Sequence, residues 1–134
     1  MIHLDYTFPV CHLALRKQLM IPCAGSVVAA VRVASGKDPI VFGKPHKAMF
    51  DYLVETVGIS SADAAMVGDR LDTDILFANK FGLLSICVLT GATTEEGLSE
   101  ARRDRDNESL LPDLVYPTLV DLCTQLMNMD KNPF

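Results

Sequence analysis

The sequence predicts an α/β fold, a parallel sheet with helices on both faces. From Ala24 onward, segments with helical periodicity alternate with short apolar runs. The connections between them are short, as expected where parallel strands are linked by crossover helices. The apolar run Ala64-Ala65-Met66-Val67 ends in Gly68-Asp69, with Asp74 following as a helix begins. That places acidic groups at the carboxyl end of a strand, the edge where open α/β sheets bind ligands.

Gly25 to Ser35 is rich in Ala and Val and stops at Gly36, so it reads as a helix closed by a left-handed glycine. Pro39 to Phe42 reads as a short strand running into Gly43-Lys44-Pro45. Pro45 suits a first helical turn, where its missing N–H costs nothing. His46 to Val57 then puts Met49, Phe50, Leu53, Val54 and Val57 on one helical face. Ser60 and Ser61 can cap the turn before a strand over Ala64 to Val67. A helix from Thr73 to Phe81 is expected to end at Gly82, and a strand over Leu83 to Leu89 to end at Thr90-Gly91. A polar helix follows from about Thr94 to Arg103. Residues 103–109 are charged and read as an exposed loop, Leu111 to Val115 as an edge strand, and Thr118 to Met127 as an amphipathic helix. Met1 to Phe8 could be a strand, while Pro9 to Met20 has a mixed pattern.

A chain of 134 residues is about one small domain. Its 49% apolar and 22% charged residues are ordinary for a globular protein. The formal charge of -5, with basic residues scattered or interleaved with acids, argues against a nucleic-acid partner. The four cysteines, Cys11, Cys23, Cys87 and Cys123, form no CxxC pair and have no His at zinc spacing, so reduced thiols in the cytosol or another reducing compartment are expected. His3, His12 and His46 are not spaced as a metal site. No apolar run approaches the ~20 residues of a membrane span, so no membrane association is expected.

Lys44 just past one strand and Asp69 just past the next would project from the same edge of a parallel sheet. A phosphoryl group in transfer carries negative charge on its equatorial oxygens, which a Lys and a metal ion can stabilise. Mg²⁺ takes one or two protein carboxylates and keeps several waters, so Asp69 suits a direct ligand. Asp74 could accept a hydrogen bond from Lys44 or hold a metal-bound water. Asp72, at the helix start, is favoured there by the dipole and needs no chemical role. His46, after Pro45, reads as a capping or solvated residue more readily than as a substrate contact.

The strings Gly25-Ser26-Val27-Val28-Ala29-Ala30, Pro39-Ile40-Val41-Phe42-Gly43-Lys44-Pro45, Met66-Val67-Gly68-Asp69-Arg70-Leu71-Asp72-Thr73-Asp74-Ile75-Leu76 and Val88-Leu89-Thr90-Gly91 together resemble a known family. They are similar to the C-terminal half of the p-nitrophenylphosphatase, phosphoglycolate phosphatase and pyridoxal phosphatase group of the haloacid dehalogenase (HAD) superfamily. The resemblance implies a HAD-like, Rossmannoid core and Mg²⁺-dependent hydrolysis of small phosphorylated metabolites. It implies a two-step hydrolysis in which an Asp attacks the phosphate and water cleaves the aspartyl-phosphate. Carried over by position, Lys44 would hold the phosphoryl group and the nucleophile, Asp69 would ligate Mg²⁺, and Asp74 would support Lys44 or the metal shell.

Such proteins open with an apolar strand and Asp-x-Asp-Gly, then a Ser or Thr motif and a cap domain ahead of the Gly-Lys-Pro segment. These features have no clear counterpart here. Asp72-Thr73-Asp74 belongs to the metal motif, and Asp104-Arg105-Asp106 has no preceding strand. Asp5, in Ile2-His3-Leu4-Asp5-Tyr6-Thr7 with Thr two places on, is the remaining candidate nucleophile, but it lacks the following Gly. The expectation is therefore an incomplete, truncated core. Residues 1–20 would be a cap remnant or irregular segment, and residues 21–134 the C-terminal part of the hydrolase core. Two functions follow: a Mg²⁺-dependent phosphatase that carries the Lys and metal-Asp motifs without the nucleophile, or an inactive remnant acting as a binding or interaction module. Exposed sheet edge in such a chain predicts self-association, including homo-oligomers.

Overall fold

The computed structural model describes residues 24–131. The readings made for residues 1–20, including a strand over Met1 to Phe8 and a role for Asp5, lie outside them. The chain divides into two compact units, Met1–Tyr52 and Leu53–Phe134.

In the first unit, helix α1 spans Ala24–Ser35. Gly36 follows with φ 63°, and its amide donates to Arg32 O at 3.0 Å, the left-handed stop expected from the sequence. Pro39 to Phe42 does not form the expected strand, and the described sheet is built wholly from the second unit. Among the described residues no strand pairs with this run, and Pro39 has no N–H to give a ladder. Ile40 is accordingly 62% exposed, while Phe42 packs edge-on against Tyr52 with ring centroids 5.6 Å apart. The chain then turns through Gly43 to His46, with a cis Lys44–Pro45 peptide and His46 N–H donating to Gly43 O at 2.8 Å. Helix α2, Lys47–Val57, begins directly after it, and the unit boundary falls within this helix.

In the second unit, Ser60 caps a 3₁₀ turn, Ser61–Asp63, by accepting from the Ala62 amide. Strand β1 follows at Ala65–Gly68. The expected helix after it starts earlier and less regularly, as a π-helical turn over Leu71–Ile75 that continues into α3, Leu76–Phe81. Gly82, with φ 69°, ends α3 as expected, and Ser61 Oγ donates to Phe81 O at 2.7 Å at that same end. Strand β2 spans Leu84–Val88 and helix α4 spans Glu95–Arg103. Thr94 Oγ1 caps α4 at the Gly97 amide, Glu95 and Glu96 occupy its first turn, and Arg102 and Arg103 its last, all favourable to the helix dipole.

The exposed loop expected over 103–109 is instead a 3₁₀ helix, Arg105–Leu110. Its start is closed by the Asp104 carboxylate, which accepts from the Asp106 amide at 3.1 Å. Strand β3, Leu114–Tyr116, precedes α5, Leu119–Lys131, which runs past the expected end at Met127. Thr118 and Asp121 cap α5 reciprocally: Thr118 Oγ1 accepts from Asp121 N–H, and the Asp121 carboxylate accepts from Thr118 N–H.

The three strands are parallel in the order β1-β2-β3. Gly68 lies opposite Cys87, and Val88 opposite Tyr116. Ile75, Phe77, Ala78, Leu83, Ile86, Cys87, Val88, Leu98 and Leu122 form the buried apolar set of this unit. The fold class read from the sequence therefore holds, since a parallel sheet alternates with helices along the chain.

β2 and the approach to β3 are joined by a polar clasp. Ser85 is fully buried; its N–H and hydroxyl both donate to Asp113 Oδ2, at 2.8 and 2.9 Å, and its oxygen accepts from Asp113 N–H. Removing the carboxylate leaves the Ser85 donors desolvated, which costs about 1–3 kcal/mol. Asp113→Ala is expected to lower the unfolding free energy by that amount, read as a lower urea midpoint at constant m-value, with Asp113→Asn milder. An unchanged midpoint in Asp113→Ala would show that the clasp contributes nothing.

Candidate functional site

The site grows from the carboxyl end of β1. Beyond Gly68 the chain leaves the sheet, and the amides of Asp69 and Arg70 are left without strand partners. Asp74 supplies the acceptor: its carboxylate turns back, and Oδ2 accepts from Asp69 N–H at 3.2 Å and Arg70 N–H at 3.1 Å. The side chain is 4% exposed. The turn is also held by its backbone, with Asp74 N–H and Ile75 N–H both donating to Arg70 O. Gly68 is required by this closure, because a Cβ at that position would fall inside the Asp74 carboxylate.

Asp69 is fixed by the loop that follows β2. Ala92 N–H donates to Asp69 Oδ2 at 2.7 Å, and Thr93 N–H donates to Asp69 O at 2.9 Å. A Cβ at Gly91 would overlap the Asp69 carboxylate, so this close approach also depends on glycine. The contact follows from register: Gly68 and Cys87 are partners, so the loops leaving β1 and β2 emerge side by side. No described residue donates a hydrogen bond to Asp69 Oδ1.

Cys87 lies fully buried beneath this arrangement. Burial pushes its thiol above the ordinary value of 9.0; the Asp69 and Asp74 charges act in the same direction, and a hydrogen bond from the Thr93 hydroxyl opposes them. At neutral pH it stays protonated, which avoids a third negative charge beside the two carboxylates.

The donor set suits a hard cation. Asp69 offers one carboxylate oxygen at a sheet edge, and Mg²⁺ commonly takes one or two protein carboxylates while retaining water. Among the described residues no group of three or more His, Cys, Asp or Glu could form an all-protein cage. Asp69 and Asp74, expected to act at one edge, do stand together in one turn. Asp72, expected at the helix start, stands in that first turn and also takes a two-pronged ion pair from Arg70, at 3.0 Å to Nε and 2.6 Å to Nη2. Lys44 belongs to the first unit, half-buried in the cis-Pro turn. His46, read as capping or solvated, is half-buried there, with Nδ1 buried and lacking a hydrogen-bond partner. Sequence reasoning gave the loop after β2 no part in holding Asp69; the Thr90-Gly91-Ala92-Thr93-Thr94 string directly after a strand was the signal that could have found it.

Comparison with known proteins agrees with this geometry. The HAD-hydrolase-like family model matches residues 41–122, more than half of the chain. Phosphoglycolate phosphatase 2 of Arabidopsis thaliana is 42% identical over 101 residues, covering 75% of this chain and 32% of that protein. The solved p-nitrophenyl phosphatase from Archaeoglobus fulgidus aligns at a TM-score of 0.64 and 31% identity, over 78% of this chain and 40% of that one. A glycerol phosphate phosphatase from Mycobacterium tuberculosis, solved in complex with magnesium, aligns at a TM-score of 0.63 and 35% identity, over 85% of this chain and 32% of that one. The chain thus spans about a third of the length of most of the curated relatives it matches, and 14–15% of two longer ones. With the family model, the sequence identity and the sheet-edge carboxylates in agreement, this chain belongs to the HAD-like hydrolase family.

Proposed function

We propose that this chain carries the cation-binding and phosphate-stabilising part of a Mg²⁺-dependent phosphatase acting on small phosphorylated metabolites. The observation that supports this most is the Asp69 carboxylate, held at the end of β1 by the Ala92 amide through Oδ2, with Oδ1 left for a cation. Bound there, Mg²⁺ would supply charge neutralisation for a phosphoryl group. Asp69 would be its direct protein ligand. Asp74 would orient Asp69 by holding the turn, and Lys44 would bind phosphoryl oxygens as a point charge. The free thiols Cys87 and Cys123 support a cytoplasmic setting as part of this reading. The exposed apolar residues Val67, Leu84 and Leu114 lie on one sheet face and support self-association.

A second reading is a binding module that holds a cation without turnover, which the Asp69 carboxylate fixed by the Ala92 amide supports equally. Hydrolysis of p-nitrophenyl phosphate with and without Mg²⁺ separates the two. Turnover that requires Mg²⁺ and is lost in Lys44→Ala supports the phosphatase reading; cation binding without turnover supports the module.

Asp69 and Asp74 should respond differently to substitution. Asn at position 69 keeps an oxygen for the Ala92 amide but loses the charge. Asp69→Asn is therefore expected to weaken Mn²⁺ or Mg²⁺ binding by calorimetry at least ~10-fold, equivalent to about 1.4 kcal/mol, with little change in Tm. Asp74→Ala strips the acceptor from two amides and should cost about 1–3 kcal/mol of stability in urea unfolding. Equal cation affinity in wild type and Asp69→Asn would remove Asp69 from the site; undiminished stability in Asp74→Ala would remove Asp74 from its positioning role.

A further inference from the structure

The turn that carries Lys44 also carries a polar side chain that no described residue satisfies. His46 N–H donates to Gly43 O at 2.8 Å, and His46 O accepts from Met49 N–H at 3.3 Å, so its backbone is fixed on both sides as the chain enters α2. The residue is half-buried, and its Nδ1 is inaccessible and without a hydrogen-bond partner. No other buried or half-buried residue among those described carries such an atom. Nε2 is not enclosed in this way, and no described group bonds to it, so the side chain does not cap α2. Lys47, next along, is held by Asp51 in an exposed i,i+4 ion pair.

A ring proton belongs on the nitrogen that can find an acceptor, because a buried N–H without one is costly. Nδ1 has none, so the neutral ring carries its proton on Nε2. Nε2–H is then a donor of fixed direction on the same four-residue turn as Lys44. We propose that His46 is a phosphate-binding residue, its Nε2–H donating to a phosphoryl oxygen of a phosphate monoester. Lys44 would supply a point charge, and the imidazole a directional bond. A hydrogen bond to a charged oxygen is about twice as strong as a neutral one, which offsets keeping Nδ1 unpaired in the fold. This assignment rests on Lys44 binding the phosphoryl oxygens.

The test uses the full chain with Mg²⁺ present and inorganic phosphate as probe. Long-range ¹H–¹⁵N spectra of the free protein are expected to show the His46 proton on Nε2, and phosphate is expected to shift Nε2 saturably. The phosphate Kd is expected to rise at least about 10-fold in His46→Ala and His46→Phe, with little change in Tm. In His46→Gln, whose amide places a donor near Nε2, it should stay within about 3-fold of wild type. An unmoved Nε2 in a protein whose phosphate binding is lost in Lys44→Ala overturns the proposal and leaves the Lys44 reading standing. Equal losses in His46→Ala and His46→Gln overturn it too, since the shape of the side chain would then be what matters. Phosphate that shifts Nε2 and binds Lys44→Ala as tightly as wild type overturns the Lys44 reading and upholds His46. No phosphate binding by wild type overturns both.

Discussion

The Asp74 carboxylate, accepting the amides of Asp69 and Arg70, is the contact on which the geometry of this edge depends. A strand that ends in a buried turn leaves N–H groups that must find acceptors, since an unpartnered buried donor is costly. Here a side chain from within the turn provides that acceptor, so the turn closes on itself. The consequences spread outward. Position 68 can only be glycine, the helix begins with a π-helical turn, and Asp69 leaves the sheet in a fixed direction.

Parallel pairing of β1 and β2 supplies the other half of the arrangement. Because Gly68 and Cys87 are register partners, the loops after the two strands come off the same edge, and the Gly91–Thr93 segment can reach Asp69. The two carboxylates thereby acquire different roles from similar sequence surroundings. Asp74 is nearly inaccessible and uses Oδ2 on backbone amides, whereas Asp69 is half-buried and keeps Oδ1 uncommitted. Their separation of roles is a matter of geometry, since neither differs from the other in chemistry.

Much of this was legible in the sequence where local rules and tertiary packing agree. Gly36 and Gly82 end their helices with positive φ, Thr94 caps α4, and the apolar run before Gly68-Asp69 is a parallel strand. Pro39 to Phe42 misled because four apolar residues satisfy a strand pattern whether or not a partner strand exists, and pairing is a tertiary fact. Residues 103–109 misled in the opposite sense, since their charge suggested a loop while Asp104 closes a 3₁₀ turn from its own side chain. The pairing of Asp69 with Ala92 and Thr93 spans more than 20 residues of chain through backbone amides, which carry no sequence signature beyond the glycine that lets them approach.

The central claim is that Asp69 binds the cation directly while Asp74 shapes the turn that presents it. An anomalous difference map from crystals grown with Mn²⁺ addresses this without depending on turnover. The account predicts one peak about 2.1 Å from an Asp69 oxygen, the first-row and Mg²⁺-like distance, with Asp74 Oδ2 still on the two amides. A peak coordinated by Asp74 in place of Asp69, or none at this edge in crystals that hold the ion, would contradict it.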